Sequence, residues 1–404
     1  MRRLNHVPME GDEMDYSWVR LDGRMKTSMP DANLGIAAVE SERHGNVLWV
    51  KLDKDAHRIG FALGPEWHVK YPGGPTEEQV LQEAVNSLKP FTLEIERVDW
   101  WTVYRYVICH YSSATLTKMS SIKQKVAATM QKDEYILLAG DSAHTHSSAF
   151  AQGMNTGVHD ATNLIWKLAG TIKKWYRPEV LATYGVERRA AAQRLIHIDK
   201  LASTTISGDI PDEYVGRGLN PNEIMYDVLE VNKTFNIGLG VSYGTSVICK
   251  NPTVSAIQPG TRSPDALIYP PGPSVPIRLY NITHLESKGR WSFLVFTGYH
   301  HLTRSRVASL RANITAKDSS FVKRGPMINL STILLGTVGS AWDAFDGPAV
   351  GKLYFDTEAT AHSRYGISSE NGGIVVVRPD GIFAFASGLE ELGLVGTFFD
   401  CMCV

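Results

Sequence analysis

The stretch that decides the fold follows the apolar run YILLA at residues 135–139. It covers residues 140–168 and reads GDSAHTHSSAFAQGMNTGVHDATNLIWKL. The apolar run predicts a buried strand, and residues 156–175 predict a helix. Apolar side chains of this helix recur at helical spacing: Val158, Ala161, Leu164, Ile165 and Leu168. The stretch is therefore predicted to form a strand, an aspartate (Asp141), a loop of small residues and a helix.

An aspartate in this place indicates a ligand site. The carboxyl ends of parallel strands are where α/β folds bind ligands, and the Asp141 carboxylate can accept hydrogen bonds from ligand hydroxyl groups. The small residues Ala149, Ala151 and Gly153 allow a planar group to approach the backbone. The N-terminus of the helix offers free N–H groups and a positive dipole end. An ordinary strand–loop–helix joint with an N-terminal cap has the same pattern, so these residues alone leave both interpretations open.

Length and composition narrow the class of protein. The 404 residues suffice for two or three domains, and 43% of them are hydrophobic and 21% charged, as in a globular protein. A net charge of -1 predicts no nucleic-acid or anionic-membrane partner. No run of about 18 apolar residues predicts a transmembrane helix. The first residues lack the apolar core of a secretory signal, and the cysteines lack redox or zinc spacing, so a cytoplasmic location is expected.

The chain is predicted to have an α/β fold in two parts. Residues 1–250 contain short strands between 33 and 64, a helix at 77–88, strands at 91–108, the central motif and a helix from Pro178 to residue 203. Residues 251–276 are rich in Pro, Gly and Ser and are predicted to be a linker. Residues 277–404 alternate strands with helical segments, which predicts a second α/β domain.

Three other patterns are weaker signals. His144 and His146 could ligate a metal, but no acidic or thiol partner has suitable spacing, so no metal is expected. Ser147 and Ser148 lack the Gly-x-Ser-x-Gly sequence of serine hydrolases. Residues 238–244, GLGVSYG, have three residues rather than two between the second and third glycines and follow no predicted strand, so they are not a dinucleotide fingerprint.

The central stretch resembles the Gly-Asp motif of the flavoprotein aromatic hydroxylases, in particular the phenol 2-monooxygenase family. That family reads close to G-D-A-x-H-x-H-x-P-x-x-G-Q-G-M-N-T-x-x-x-D-x-x-N-L-x-W-K-L. The matching positions are Gly140, Asp141, His144, His146, Gln152, Gly153, Met154, Asn155, Asp160, Asn163, Leu164, Trp166, Lys167 and Leu168. The resemblance extends to residues 15–31 and 98–106. PGTRSPDALI and GGIVVVRPDG also resemble the thioredoxin-like tail of phenol hydroxylases, without a redox CxxC, so nearly the whole chain is covered.

The resemblance implies a fold, a cofactor and a reaction. The fold would be an α+β substrate sheet with a partial Rossmann-like FAD-binding fold, followed by a thioredoxin-like α/β domain. A family member reduces FAD with NAD(P)H and uses O2 to hydroxylate a phenolic or other aromatic substrate. Residues 33–108 would form the wall of the substrate site. The C-terminal domain would make the contact of a homodimer.

The resemblance also implies which residues contact the cofactor. Asp141 would bind the ribityl or phosphate region of FAD. Five consecutive residues would place their backbone against the isoalloxazine ring: Ala151, Gln152, Gly153, Met154 and Asn155. The dipole of the following helix would stabilise negative charge on the reduced flavin. The resemblance assigns no catalytic acid or base to this chain.

The sequence departs from the family at the ADP end of the cofactor. It contains no G-x-G-x-x-G, so we expect the chain to be N-terminally incomplete relative to the family. The ADP group has about 27 heavy atoms, and contacts worth about 0.3 kcal/mol per atom would contribute on the order of 8 kcal/mol. The chain alone is therefore expected to hold FAD weakly. Without its usual neighbours, the strand at 135–139 is expected to expose an edge and an apolar face.

Smaller departures fall within the site. Ser148 replaces a family proline, and Ala151 replaces the first glycine of Gly-Gln-Gly. The family's substrate-facing tyrosine falls near Gly60 and an arginine near Lys51. The leading interpretation is an FAD-dependent monooxygenase with a secondary metabolite as its substrate. Because of these departures, two other interpretations stay open. One is a flavin-free homologue that acts as a cyclase or isomerase, and the other is a non-catalytic partner of a complete hydroxylase.

Overall fold

The computed structural model describes residues 2–13, 17–64, 66–104, 123–133, 135–147, 152–272, 275–336 and 347–404. The chain divides into two units. Unit 1 contains Met1–Thr129, Leu138–Gly157 and Ala192–Asn236, and unit 2 contains Met130–Leu137, Val158–Ala191 and Ile237–Val404. The domain boundaries that the sequence predicts at residues 250 and 276 stay predictions, because these units follow spatial contacts rather than sequence order.

The strands and helices are named in chain order. The strands are β1 (Met9–Glu13), β2 (Ser17–Thr27), β3 (Ile36–Ser41), β4 (Gly45–Lys51), β5 (Ala56–Leu63), β6 (Leu93–Tyr104), β7 (Lys123–Ala127), β8 (Gln131–Lys132), β9 (Ile136–Leu137), β10 (His144–Thr145), β11 (Leu267–Ile268), β12 (Ile277–Arg278), β13 (Trp291–Phe296), β14 (Ile328–Leu335), β15 (Lys352–Asp356), β16 (Gly373–Val377) and β17 (Phe383–Ser387). The α-helices are α1 (Glu66–Lys70), α2 (Glu77–Ser87), α3 (Gly153–Ile172), α4 (Pro178–Ile206), α5 (Pro221–Asn236), α6 (His300–Thr315), α7 (Ser320–Lys323), α8 (Thr360–Arg364) and α9 (Leu392–Asp400). Helices α2, α3 and α4 lie where helical periodicity predicts them. Among the described residues, no helix is both long and apolar enough to cross a lipid bilayer.

The main sheet of unit 1 packs against a hydrophobic core on one face and contributes to the candidate site on the other. It is antiparallel, with the strand order β3-β4-β5-β2-β6. Because successive side chains of a strand alternate between faces, Val19 and Leu21 of β2 lie together on one face, where they are buried in a core with Val80 of α2. Trp18 and Arg20 point to the opposite face. That face contributes to the candidate site.

The strand predicted at residues 135–139 is shorter than expected and is not parallel. Only Ile136 and Leu137 form a strand there, β9, which pairs antiparallel with β8. A buried parallel strand needs neighbours on both sides, and β9 has no parallel neighbour among the described residues. Tyr135 is 86% exposed whereas Leu138 is buried. The prediction of a buried parallel strand is therefore wrong.

The sheet of unit 2 has the strand order β15-β14-β13-β16-β17. β13, β14 and β15 are parallel, and β16 and β17 are antiparallel to their neighbours. All six residues of β13, WSFLVF, are buried, as in a strand that is covered on both faces. The β13–α6–β14 unit, followed by the β16–β17 hairpin and α9, has the arrangement expected of the predicted thioredoxin-like domain.

Residues 251–276, predicted to be a linker, lie within unit 2. The Thr253 N–H donates to the Ala386 carbonyl, and the Gly260 N–H donates to the Phe383 carbonyl, both at 2.9 Å. This segment therefore runs beside β17 and shares hydrogen bonds with it.

Six of the buried charged residues of unit 2 lie together, and we call them the buried ion cluster. They are at most 4% exposed: Asp160, Lys167, Glu187, Arg188, Arg378 and Asp380. Arg378 donates to both carboxylate oxygens of Glu187, at 2.7 and 3.0 Å, and to both of Asp380, at 3.0 and 2.6 Å. Lys167 donates to Glu187 at 2.7 Å, and Arg188 donates to Asp160 at 2.6 Å. Each of the three cations thus has a carboxylate partner.

The cluster joins α3, α4 and the turn between β16 and β17. Burial alone would raise the pKa of Glu187, but the positive charges of Arg378 and Lys167 lower it to about 2. Burial lowers the pKa of Lys167 to about 8. Asp160 and Lys167 belong to the motif that the sequence singles out. In unit 2 these two motif residues form buried ion pairs with Glu187 and Arg188 of α4.

We expect Glu187→Gln to destabilise the protein by about 3–5 kcal/mol at about pH 7, because Arg378 and Lys167 lose a shared buried carboxylate. The difference from the wild type should shrink in acid. The folded-state pKa of Glu187, about 2, is lower than its ordinary value of 4.5, so the stabilisation from its charge is complete above pH 4.5 and is lost toward pH 2. Urea titrations at about pH 7 and about pH 3 would measure both free energies of unfolding.

Glu179→Gln is the matched control for this test, since Glu179 is exposed on the same helix. It should change the free energy of unfolding by less than about 1 kcal/mol. A Glu187→Gln difference that stays constant from neutral to acid pH would contradict the assignment.

Candidate functional site

A short 3-10 turn, Gly140–Ser142, presents Asp141 at the start of the motif. Gly140 has a φ of 56°, a left-handed conformation that glycine adopts without strain. The Ser142 hydroxyl donates to the Ala139 carbonyl at 2.8 Å and accepts from the Ala139 N–H at 3.2 Å. Asp141 is exposed. Its carboxylate is therefore accessible to a ligand.

The first turn of α3 lies against this turn. A Cβ atom on Gly157 would be 3.7 Å from the Gly140 Cα, so the two backbones are in van der Waals contact. Gly153, Met154 and Asn155 form the first turn of α3, and Met154 is 78% exposed. The first N–H groups of a helix have no partner within that helix. The structure therefore brings Asp141 close to a helix N-terminus that can face a ligand.

Gln152 holds the start of α3 in place. Its carbonyl accepts from the N–H and the hydroxyl of Thr156, both at 2.9 Å. Its side-chain Nε2 donates to the carbonyl of Asn236, the last residue of α5, at 2.8 Å. The side chain and the backbone carbonyl of Gln152 are thus both bound to protein. The predicted contact of Ala151 and the departure at Ser148 lie outside the described residues.

A buried carboxylate anchors the segment before the motif loop. Asp199 of α4 is 1% exposed. Its carboxylate accepts from the Ser147 N–H at 2.7 Å, from the Ser147 hydroxyl at 2.6 Å and from the Gln124 Nε2 at 2.8 Å. A buried charge is stable when donors satisfy it in this way. Asp199 therefore ties β7, the end of β10 and α4 together within unit 1.

His144 and His146 have packing contacts in this structure. Their rings are stacked with centroids 6.5 Å apart, and the His146 Nδ1 lies 2.8 Å from the Ser147 carbonyl oxygen. A Cβ on Gly153 would lie 3.5 Å from the His146 ring, so this histidine packs against the start of α3. Among the described residues there is no group of three or more His, Cys, Asp or Glu that could hold a metal ion.

These residues fit the middle of an FAD molecule. The Asp141 carboxylate can accept hydrogen bonds from ribityl hydroxyl groups. Gly140 and Gly157 pack backbone against backbone, which places the Asp141 turn beside the start of α3. The N-terminus of α3 can face negative charge. The same residues offer nothing that corresponds to the pyrophosphate-binding turn of a dinucleotide fold.

A cavity of about 330 Å³ opens on the second face of the main sheet in unit 1, and we call it the sheet cavity. Its volume lies in the range of small-molecule sites. Its walls are the sheet residues Trp18, Arg20, Asn46, Leu48 and Gly60 and the α5 residues Asn222, Met225, Tyr226 and Leu229. The α5 residues follow helical spacing, so a single face of the helix covers the cavity. Helix α5 thus lines the cavity and also accepts the Gln152 hydrogen bond at its end.

The wall of the sheet cavity contains an unsatisfied donor. Trp18 is 5% exposed, and its buried Nε1 has no hydrogen-bond partner among the described residues. Because buried donors in proteins are normally paired, an acceptor on a bound ligand would satisfy this N–H. A Cβ on Gly60 would lie 3.2 Å from the Arg20 Cδ. Arg20 therefore occupies space beside the position at which the family has a tyrosine.

Sequence reasoning missed several residues of this site. Trp18 and Arg20 fall in residues 15–31, which resemble the family, and that resemblance is the signal that could have found them. Asn222 and Asp199 lie on helices, and which residues those helices face depends on tertiary packing. No local pattern marks either residue.

Two protein-family matches agree with the family resemblance that the motif indicates. Residues 108–199 match a family described as an FAD binding domain, and residues 335–404 match the phenol hydroxylase C-terminal dimerisation domain. The first match contains Asp141 and residues 152–155, which are predicted to contact the cofactor.

Relatives and solved structures agree with the same family. A phenol 2-monooxygenase from Aspergillus fumigatus is 26% identical over 99% of this chain and 67% of its own length. A 3-hydroxybenzoate 4-monooxygenase from Comamonas testosteroni is 28% identical over 75% of this chain and 47% of its own length. The structure of aklavinone-11 hydroxylase with FAD and aklavinone has a TM-score of 0.64 and 16% identity over 98% of this chain and 64% of that chain. The chain thus spans about two thirds of the length of the fungal relative. These matches confirm the α/β fold class and the resemblance to FAD-dependent aromatic hydroxylases.

We expect Asp199→Ala to destabilise the protein by about 3 kcal/mol, because three buried donors on Ser147 and Gln124 would lose their acceptor at about 1 kcal/mol each. Hydrogen exchange of the Ser147 amide should accelerate by more than about tenfold. Asp12→Ala is the control, since Asp12 makes an exposed ion pair with Lys200 at 2.8 Å. Its cost should stay below about 1 kcal/mol. Equal effects of the two substitutions would show that Asp199 does not anchor the loop.

Proposed function

We propose that this homologue of the FAD-dependent aromatic hydroxylases is a monooxygenase that hydroxylates a phenolic or related aromatic metabolite, with NAD(P)H and O2 as co-substrates. The observation that carries the proposal is the contact between the Asp141 turn and the first turn of α3, inside the segment that matches an FAD binding domain. The names of the relatives favour hydroxylation over a flavin-free cyclase or isomerase reaction.

The residues that would hold FAD are the predicted ones: Asp141, Ala151, Gln152, Gly153, Met154 and Asn155. When bound, FAD supplies electron transfer from NAD(P)H to O2 and delivery of one oxygen atom to an aromatic ring. Asp141 accepts a hydrogen bond from a cofactor hydroxyl group. The N-terminus of α3 stabilises nearby negative charge, by about 0.3–1 kcal/mol at an exposed site. Asp199 holds Ser147, which follows Asp141 in the motif, through two hydrogen bonds.

The sheet cavity would hold the aromatic substrate. Leu48, Met225 and Leu229 provide apolar walls for a ring, and Trp18 offers an N–H to a substrate oxygen. The sequence predicts that this sheet forms the substrate wall. Apolar walls with few polar groups suit a ligand whose orientation is set by one or two hydrogen bonds.

A homodimer is part of the proposal. Its support is the match of residues 335–404 to a dimerisation domain. The choice of NAD(P)H as the reductant rests on the resemblance. A cytoplasmic location stays a prediction from the sequence.

We expect the protein to bind FAD and FMN with similar affinity, because the contacts described serve the half of FAD that FMN shares. Asp141→Ala should weaken binding of both by roughly tenfold, the effect of one hydrogen bond to a charged group. Quenching of flavin fluorescence during titration would measure this. Asp53→Ala, which changes an exposed aspartate in the turn between β4 and β5, should leave affinity unchanged. Unaltered flavin binding by Asp141→Ala, or no quenching at about millimolar flavin, would refute the site.

We expect Trp18→Phe to raise the KM for a phenolic substrate by roughly fivefold and to change kcat less, because the ring remains while the N–H is lost. Substrate-dependent NADPH oxidation by flavin-reconstituted protein would measure both constants. Trp100→Phe is the matched control, since Trp100 is 45% exposed and does not line the cavity. A wild-type KM for Trp18→Phe would mean that the substrate binds elsewhere.

A further inference from the structure

Unit 2 contains a second cavity, of about 440 Å³, that the proposed reaction does not use. We call it the basic cavity. Its walls come from the last part of α3 and from the turn before β13. The lining residues include Trp166, Ala169, Lys173, Trp175, Lys288 and Arg290. The cavity therefore combines two indole rings with three cations.

The charges around the basic cavity are all of one sign. Among the described residues, Lys173, Lys288 and Arg290 line the cavity and no Asp or Glu does. Glu286 is near Lys288 in sequence, but it pairs with Lys352 at 3.5 Å. Neither Lys173 nor Lys288 forms an ion pair with any residue in the part of the chain that the structure describes. The cavity thus has a positive potential that no protein carboxylate neutralises.

The end of α3 does not need these lysines as a cap. The carbonyl oxygens of its last turn accept backbone N–H groups: Ala169 from Lys173, Gly170 from Trp175 and Thr171 from Lys174. The Lys173 Nζ instead lies 4.4 Å from the centre of the Trp175 ring. The ammonium group is therefore held over an aromatic wall of the cavity.

Trp166 adds an unsatisfied donor. It is 5% exposed, and its buried Nε1 has no hydrogen-bond partner among the described residues. The rings of Tyr176 and Trp291 pack edge-on against it, with centroids 5.7 and 5.4 Å away, so the indole orientation is fixed. The neighbouring Trp291 donates its Nε1 to the Tyr176 hydroxyl at 3.0 Å. Trp166 therefore forms a fixed part of the cavity wall.

We infer that the basic cavity binds a small planar aromatic ligand that carries a carboxylate or another anionic oxygen group. The ring lies against the Trp175 indole. The anionic group faces Lys173, Lys288 and Arg290. This site is separate from the residues proposed to hold FAD and substrate, and it does not rest on that proposal.

Equilibrium dialysis of the full chain against 2-naphthoate and 2-naphthamide tests the inference, since the two probes share a ring and differ in charge. We expect 2-naphthoate to bind at least about tenfold more tightly than the amide. The double variant Lys173→Met with Lys288→Met should lose at least about tenfold in 2-naphthoate affinity. Ala169→Phe, which fills the cavity and leaves every charge in place, should abolish the same binding. Urea unfolding midpoints check that each variant is folded.

Lys70→Met is the matched control. Lys70 is exposed, and its Nζ lies 4.9 Å from the centre of the Trp67 ring, but it lines neither cavity. It should leave 2-naphthoate binding unchanged. Equal binding of acid and amide would overturn the charge assignment. Unchanged binding in folded Ala169→Phe would place the probe elsewhere, and displacement by inorganic phosphate at equal concentration would show a simple anion site without ring recognition.

Discussion

The charge balance of the buried ion cluster constrains the whole core of unit 2. Removing a charge from water costs several kcal/mol, so a buried cation is tolerated only while its carboxylate partners stay in place. Arg378 meets this condition through four hydrogen bonds to Glu187 and Asp380. Because these partners come from α4 and from the turn after β16, the helix and the hairpin must keep one arrangement. The cluster therefore specifies how the core packs.

Side chains on the strands of the main sheet in unit 1 alternate between two faces, and the two faces have different roles. One face of β2 supplies Val19 and Leu21 to a core with α2, and the opposite face supplies Trp18 and Arg20 to the sheet cavity. The same strand thus stabilises the fold and lines the sheet cavity. Asp199 has a comparable role for the motif loop, because a satisfied buried carboxylate holds Ser147 in place.

The motif at residues 140–168 shows which contacts local sequence can predict and which it cannot. Asp141 and the start of α3 are close in sequence, so a strand–loop–helix pattern and a family resemblance were enough to predict that they meet. The same motif includes Asp160 and Lys167, which match the family equally well but serve as packing charges in unit 2. The strand at 135–139 was predicted wrongly because burial of a strand depends on its neighbours. The apolar residues at 135–139 do not by themselves reveal whether neighbouring strands are present.

The sequence by itself determined helices α2, α3 and α4, through apolar periodicity, and the proximity of Asp141 to the start of α3, through the strand–loop–helix pattern. These features depend on interactions between residues a few positions apart. Only the tertiary structure decided which charges pair, which face of α5 closes the sheet cavity and which cations surround the basic cavity. Glu187 and Arg378 are 191 residues apart in the chain and 2.7 Å apart in space. Such contacts follow from how whole elements pack, and no single stretch of sequence contains that information.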